Sequence, residues 1–228
     1  MTNIQSFCKF TTMSITRDTY LTIDLDYWMK HDTTTVQEMI DFLRIIKQCQ
    51  REVHVVKYHH EIIPHISNFQ NVTRLINLDY HSDIADVCIE CRCERDFNEG
   101  TWVNFVHGIA RKEYIWRFPF NNQVELSYGY CHEMVSPFTM TPSDRKSIGW
   151  GKVSMKQGLP TSRELLRCAA FGICVSPNWA PRNHNIAPAA LLADLGFIQR
   201  KDVRKFSNDN SITYIEKLNK RLYKGLCA

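Results

Sequence analysis

What the sequence lacks narrows its class first. No apolar run approaches the ~18–20 residues that a membrane-spanning helix requires. Met1 to Phe10 has no apolar core of the kind a secretory signal carries. The expectation is a soluble, cytoplasmic protein with no membrane partner. No repeat, low-complexity tract or Gly/Ser linker divides the 228 residues, so 1–228 is read as a single domain. A strong excess of one charge is missing too. Lys and Arg total 28 against 24 Asp and Glu, a net +4, too mild for a nucleic-acid binder. The nine cysteines are an odd number. A chain of this size buries a core without covalent staples, so free thiols in a reducing compartment are expected. Nothing in the sequence fixes an oligomeric state.

Several motifs are also absent. Gly149, Gly151 and Gly158 do not make a phosphate-cradling loop. Ser176 has no nucleophile-elbow context. Cys88, Cys91 and Cys93 form a C-x₂-C-x-C cluster, but no second pair stands at zinc-site spacing.

What remains is ordinary globular composition, 44% hydrophobic and 23% charged. Tyr20 to Asp26 reads as a first strand, β-branched and apolar, ending in Asp-Leu-Asp. Val36 to Gln48 has helical periodicity through Val36, Met39, Ile40, Leu43 and Ile46. Glu52 to Lys57 and Arg74 to Leu78 read as further strands. Short apolar runs separated by helices predict an α/β fold with a mainly parallel sheet covered on both faces. Glu113 to Phe118 and Gln123 to Tyr130 read as strands around an Asn121-Asn122 turn, an antiparallel hairpin inserted in that core. Thr161 to Glu164 is a capping-box sequence opening a helix over Ser162 to Cys168. Phe171 to Ser176 follows as a buried strand stopped by Pro177. Helices are expected at Pro188 to Leu195 and Ile212 to Tyr223.

The chemistry lies at three strand ends. Leu75 to Leu78 runs into Asp79-Tyr80-His81-Ser82-Asp83. Alternate residues of an extended segment point the same way, so Asp79, His81 and Asp83 converge just past the strand. Asp24 and Asp26 share a face by the same alternation, and Tyr58-His59-His60-Glu61 follows the second strand. Carboxylates gathered this closely repel one another unless a cation sits between them. Of His59 and His60, adjacent and facing opposite ways, only one should ligate. A carboxylate-rich, histidine-poor set without cysteine favours Mn²⁺ over Zn²⁺. Six ligands exceed the needs of one catalytic metal and suit a two-ion centre.

These motifs resemble the ureohydrolase superfamily of arginases, agmatinases and related deacetylases. That family carries Asp-x-His-x-Asp, Asp-x-Asp and a separate histidine at strand ends around two Mn²⁺ ions. The match here is Asp79, His81 and Asp83; Asp24 and Asp26; and His59. The resemblance is confined to these motifs and their flanking strands, and the chain is shorter than is usual for the family. The Asp-x-Asp motif, last in typical arginases, comes first here, so the sheet must be rewired to keep the site. The combination of Asp-Leu-Asp-Tyr, His-His-Glu and Asp-Tyr-His-Ser-Asp looks more like the atypical peptide arginases of ribosomal-peptide pathways than like typical arginases. The resemblance implies an arginase-like three-layer fold and two Mn²⁺ ions bridged by Asp24 and Asp79. His81 and Asp26 would complete one ion, and His59 and Asp83 the other. It implies hydrolysis of arginine side chains in a precursor peptide to ornithine and urea.

Asp83, His60 and Glu99 are the candidate catalytic residues, with His60 placed behind the ligands if His59 binds metal. Glu61 and Glu99 are candidates for orienting the guanidinium; each reads equally as a helix-start residue. His107 and His132 are candidate proton shuttles or structural histidines. Trp179 is a candidate for the cleft mouth or the core, and the hairpin segment Glu113 to Tyr130 for peptide docking. The same residues suit hydrolysis of a small guanidino or acylated amine compound. A non-catalytic, metal-containing peptide-binding module is the remaining alternative.

Overall fold

A computed structural model of the chain describes residues 15–29, 34–84, 102–119, 149–177 and 187–207. The elements are β1 (Thr19–Asp24), α1 (Asp26–Met29), α2 (Thr34–Gln48), β2 (Glu52–Val56), α3 (Ile63–Ser67), β3 (Arg74–Leu78), β4 (Glu113–Phe118), β5 (Lys152–Gln157), α4 (Ser162–Leu166), β6 (Cys168–Cys174), α5 (Pro188–Asp194) and α6 (Val203–Phe206). Short 3-10 turns occupy His59–Ile62, Trp102–Phe105 and Arg200–Asp202. No helix among the described residues is long and apolar enough to cross a membrane.

The six strands form one sheet in the order β2-β6-β1-β3-β4-β5, every pairing parallel. The expected α/β architecture is therefore present. From β1 the chain crosses to β2 at one edge; from β3 it continues to β4 in the other direction. Adjacent strands whose outgoing connections diverge leave a crevice at their carboxyl ends, where open parallel sheets bind ligands. β1 and β3 are those strands, and they carry the Asp-x-Asp and Asp-x-His-x-Asp motifs. Placing Asp-x-Asp first in the chain thus does not separate the motifs, because β1 is hydrogen-bonded beside β3.

Strand alternation divides the interior into two cores. Leu21, Ile23, Ile76, Leu78, Ile115, Phe171 and Ile173 face one side, packed by Met39, Phe42, Leu43 and Ile46 of α2 and by Leu192 of α5. Tyr20, Leu75, Tyr114, Trp116, Ala170 and Cys174 face the other, with Ile62, Ile66 and Trp102. By parity, Thr22, Asp24, Asn77 and Asp79 belong to this second face. Gly172 keeps the layer close: a Cβ there would lie 2.6 Å from Ile62 Cδ1, so the turn bearing His59 packs directly on β6.

Two expectations are corrected here. β4 is not the arm of an antiparallel hairpin, because β3 and β5 pair with it on both sides in parallel. The supposed second arm, Gln123 to Tyr130, lies outside the described residues. The strand Lys152–Gln157 was not anticipated; as an edge strand it exposes Lys152 and Lys156. The helix expected at Ile212 to Tyr223 lies outside the described residues.

The capping box is present. Thr161 N–H and its hydroxyl both donate to Glu164 Oε2 at 2.8 Å, and Glu164 N–H donates to Thr161 Oγ1 at 3.3 Å. Glu164 also pairs with buried Arg117 at 2.6 Å and with Lys156 at 3.0 Å. Burial would raise this carboxyl, but the Thr161 donors, Lys156 and Arg117 overcome it and hold its pKa down to about 2 from 4.5. A carboxylate with a depressed folded pKa contributes stability above its unfolded pKa and loses it as pH falls. Glu164→Gln should cost about 3 kcal/mol near neutral pH by leaving Arg117 buried without its counter-charge. In urea titrations the gap to wild type should narrow as pH falls from 4.5 toward 2. A gap independent of pH would show that the charge is not the source.

Candidate metal centre

Each ligand candidate is positioned by its strand. Asp24 is the last residue of β1, and the chain turns at Leu25, whose N–H donates to Cys174 O at 3.0 Å. Asp24 Oδ1 accepts the Asp26 N–H at 3.0 Å, and its Oδ2 accepts the Ser176 hydroxyl at 2.5 Å. Asp79 follows β3 directly; its Oδ1 accepts the His81 N–H at 2.9 Å. The Thr22 hydroxyl donates to Asn77 Oδ1 at 2.7 Å, which turns the Asn77 amide nitrogen toward Asp79 Oδ2 at 3.3 Å and Asp83 Oδ2 at 3.4 Å.

Three aromatic donors clasp the 79–83 loop. Trp116 Nε1 donates to Asp79 O at 3.0 Å, Tyr114 hydroxyl to Ser82 O at 2.5 Å, and Trp102 Nε1 to Asp83 Oδ2 at 2.5 Å. They hold Asp83 in a left-handed conformation, φ 52°, which costs a non-glycine residue energy and tends to persist where the surroundings dictate it.

His59 stands at the centre. Its Nδ1 lies 3.0 Å from Asp79 Oδ2, 3.0 Å from Asp83 Oδ2 and 3.3 Å from Asp24 Oδ2. None of these approaches has hydrogen-bond geometry, and both ring nitrogens are buried without a hydrogen-bond partner. An imidazole crowded by three carboxylate oxygens, none on its N–H axis, is arranged as a set of ligands rather than as hydrogen-bonded pairs. On the other side, His81 Nδ1 lies 3.3 Å from Asp26 Oδ2 and 4.0 Å from Asp79 Oδ1. Among the described residues three groups of ligand atoms could hold a metal ion: Asp26, Asp79 and His81; His59, Asp79 and Asp83; and Asp24, His59 and Cys174. Asp79 and His59 are each shared by two groups.

The electrostatics agree. Burial first, then the neighbouring charges of Asp83 and Asp26, push the Asp79 carboxyl well above its ordinary range. Burial with Asp26 and Asp79 raises Asp24. Burial disfavours charge on His59, but Asp24, Asp79 and Asp83 outweigh it and hold its pKa well above that of an ordinary histidine. The cluster therefore favours positive charge at its centre, which a protonated His59 or a divalent cation would supply.

No match was found among protein-family models, curated proteins or solved structures. The site's own geometry is thus what bears on function.

All six expected ligands, Asp24, Asp26, His59, Asp79, His81 and Asp83, come together at one edge of the sheet. His59 rather than His60 joins the groups; His60 lies against Tyr58, ring centroids 6.1 Å apart. Glu61 is an exposed capping residue whose Oε2 accepts the N–H groups of Lys57 and Tyr58 at 2.9 and 3.0 Å. His107 is exposed beside its own turn, Nδ1 3.1 Å from Phe105 O. Glu99, His132, Trp179 and the Cys88, Cys91, Cys93 cluster lie outside the described residues. Cys49, Cys168 and Cys174 are free thiols, as expected.

Cys174, outside the expected ligand set, also lies with Asp24 and His59. Its neighbour across the sheet is Asp24, in register, a pairing that a single sequence does not display. Asn77, Thr22, Trp102 and Ser176 were also missed as supporting residues. A signal did exist for Asn77, a polar residue two positions before Asp79 on the same strand face, where it can donate to that carboxylate; Thr22 in turn holds Asn77.

Trp102 supports two ligands, donating to Asp83 and lying against His59 with centroids 4.6 Å apart. Trp102→Phe keeps the ring and removes the donor. Metal affinity should fall roughly 10–100-fold, the usual loss for a residue that orients a ligand, in calorimetric titration with Mn²⁺. Unchanged affinity would reduce Trp102 to packing.

Proposed function

We propose that this chain is a binuclear manganese hydrolase that converts arginine residues in a precursor peptide to ornithine with release of urea. The observation that carries the reading is the convergence of four aspartates and two histidines into adjoining groups that share Asp79. Carboxylate and imidazole ligands in this ratio suit Mn²⁺, and the likeness of the three motifs to peptide arginases supplies the reaction. Asp26, Asp79 and His81 would hold one ion; His59, Asp79, Asp83 and Asp24 the other. Bound there, the ions would supply an acidified water and neutralise charge developing on the guanidinium.

The chain's own groups supply the rest. Asn77 and Trp102 fix the carboxylates of Asp79 and Asp83, so that little rearrangement is needed as ligands engage. His81 is 29% exposed against 3% for His59, so solvent and substrate approach from the His81 side. The departing amine needs a proton. Asp83 and His60, which shares the turn of His59 without joining the ligand groups, are the proposed residues for that transfer, with Glu99 orienting the guanidinium.

The test is incubation of Mn²⁺-loaded protein with an arginine-containing peptide. Urea should appear, and peptide mass should fall by about 42 daltons for each CH₂N₂ lost in the hydrolysis. Urea from agmatine or free arginine alone would favour a small-molecule ureohydrolase. Two bound ions with no turnover of any of these would leave the non-catalytic module.

A further inference from the structure

We propose that Cys174 is a metal ligand, making the His59 half of the centre a mixed oxygen, nitrogen and sulfur position that takes thiophilic divalent ions, while the Asp26–Asp79–His81 half is hard. This rests on the metal-centre reading above and adds a residue to it.

The placement follows from the sheet. β6 lies between β2 and β1, and Cys174, its last residue, is in register with Val56 on one side and Asp24 on the other. The strand ends that deliver His59 and Asp24 therefore flank the thiol. Cys174, His59 and Asp24 are all buried, and their ligand atoms lie within 4.8 Å of one another. Both nitrogens of His59 lack a hydrogen-bond partner, so the group contains an imidazole whose bonding is left for a ligand. At the rim of the second core the sulfur meets two polar atoms, Lys57 O at 3.5 Å and Ser176 Oγ at 3.2 Å. Ser176 also donates to Asp24, linking the two proposed ligands, and does so from a left-handed conformation, φ 45°. N–H groups of Val175 and Ser176 donate to Val56 O at 3.0 Å and Lys57 O at 3.1 Å. These bonds fix the bend after β6 that keeps the hydroxyl between sulfur and carboxylate.

Ligation exchanges one bond for another. The thiol proton is released to solvent as the sulfur–metal bond forms, because the thiolate is the ligand. Soft sulfur selects Zn²⁺, Co²⁺ and Cd²⁺ over Mn²⁺, whereas carboxylates suit Mn²⁺. The two halves of the centre should then differ in metal preference.

Cobalt titration of the full chain distinguishes the outcomes. Wild type should bind about two Co²⁺ per chain and develop a sulfur-to-cobalt charge-transfer band in the near ultraviolet. Cys174→Ser and Cys174→Ala, two variants of nearly the same volume, should lose that band. Cd²⁺ affinity should fall at least ~10-fold more than Mn²⁺ affinity in both variants. Two bound Co²⁺ without the band in wild type would overturn the sulfur ligand and leave the binuclear centre standing. Persistence of the band in both variants would assign it to other thiols and overturn the proposal equally. Failure to bind Co²⁺ or Mn²⁺ at all would overturn the metal centre itself.

Discussion

Asp79→Asn will give a folded protein that no longer gains stability from Mn²⁺ and has lost at least ~1,000-fold in kcat/KM, about 4 kcal/mol of transition-state stabilisation. Asp79 is the shared member of two ligand groups, so its loss damages both ion positions. The same substitution removes a buried carboxyl whose ionisation burial, Asp83 and Asp26 all oppose. In the presence of chelator, the variant should therefore be at least as stable as wild type, because relieving repulsion among buried carboxylates offsets the lost contact with His59. The two proteins should separate when Mn²⁺ is added. At about 100 times its dissociation constant, one bound ligand stabilises the native state by about 2.7 kcal/mol. For a chain of this length that is a rise of roughly 5–10 °C in Tm. Wild type should show the rise and Asp79→Asn should not. A variant that is less stable than wild type in chelator, yet equally stabilised by Mn²⁺, would mean that Asp79 is structural.

The paradox of that prediction, a substitution that harms function without harming the fold, explains what the sequence displayed. The candidate ligands were legible because they break the apolar strand pattern at its ends. Asp24 and Asp79 are charged residues at the ends of buried runs, where loss of hydration is expensive. The parallel sheet was legible from the same runs. Strand order was not. β6, last among the strands in sequence, inserts between β2 and β1, and only this placement brings Cys174 beside Asp24. The sequence around Cys174 reads as an apolar strand stopped by Pro177, and nothing local distinguishes a core thiol from a ligand. The role of Trp102 was hidden for a related reason. It approaches Asp83 across 19 residues of sequence, and its local context suggests only a helix start. β5 escaped notice because an edge strand need not bury both faces, and its lysines reach toward solvent while pairing with Glu113 and Glu164. The hairpin reading of Glu113 to Phe118 failed on the opposite count. Tyr114, Ile115 and Trp116 are buried on both faces, the mark of an interior strand rather than of an exposed ribbon.

An arginine-containing peptide should be processed with a kcat/KM at least ~100-fold above free arginine, about 2.7 kcal/mol of differential transition-state binding. Free arginine carries an α-ammonium and an α-carboxylate that peptide arginine lacks. An enzyme selective for the free amino acid must pair both, and a site built for such groups rejects analogues without them by large factors. Pairing the carboxylate calls for a cation near the mouth. Among the described residues the only buried Arg or Lys is Arg117, and its guanidinium is taken by Glu164 at 2.6 Å and by Gly158 O and Leu159 O at 3.0 and 2.9 Å. A peptide substrate has a different need, a cleft open to backbone on both sides. β4 cannot supply main-chain pairing, because both its edges are occupied; a peptide that adds a strand would need β2 or β5, the sheet's outer strands. Competition assays should use one peptide containing a central arginine, the same peptide with ornithine in its place, and free arginine. Selectivity for the central arginine with weak inhibition by free arginine is the expected pattern. Comparable turnover of free arginine would overturn the peptide assignment while leaving the metal centre and its chemistry in place.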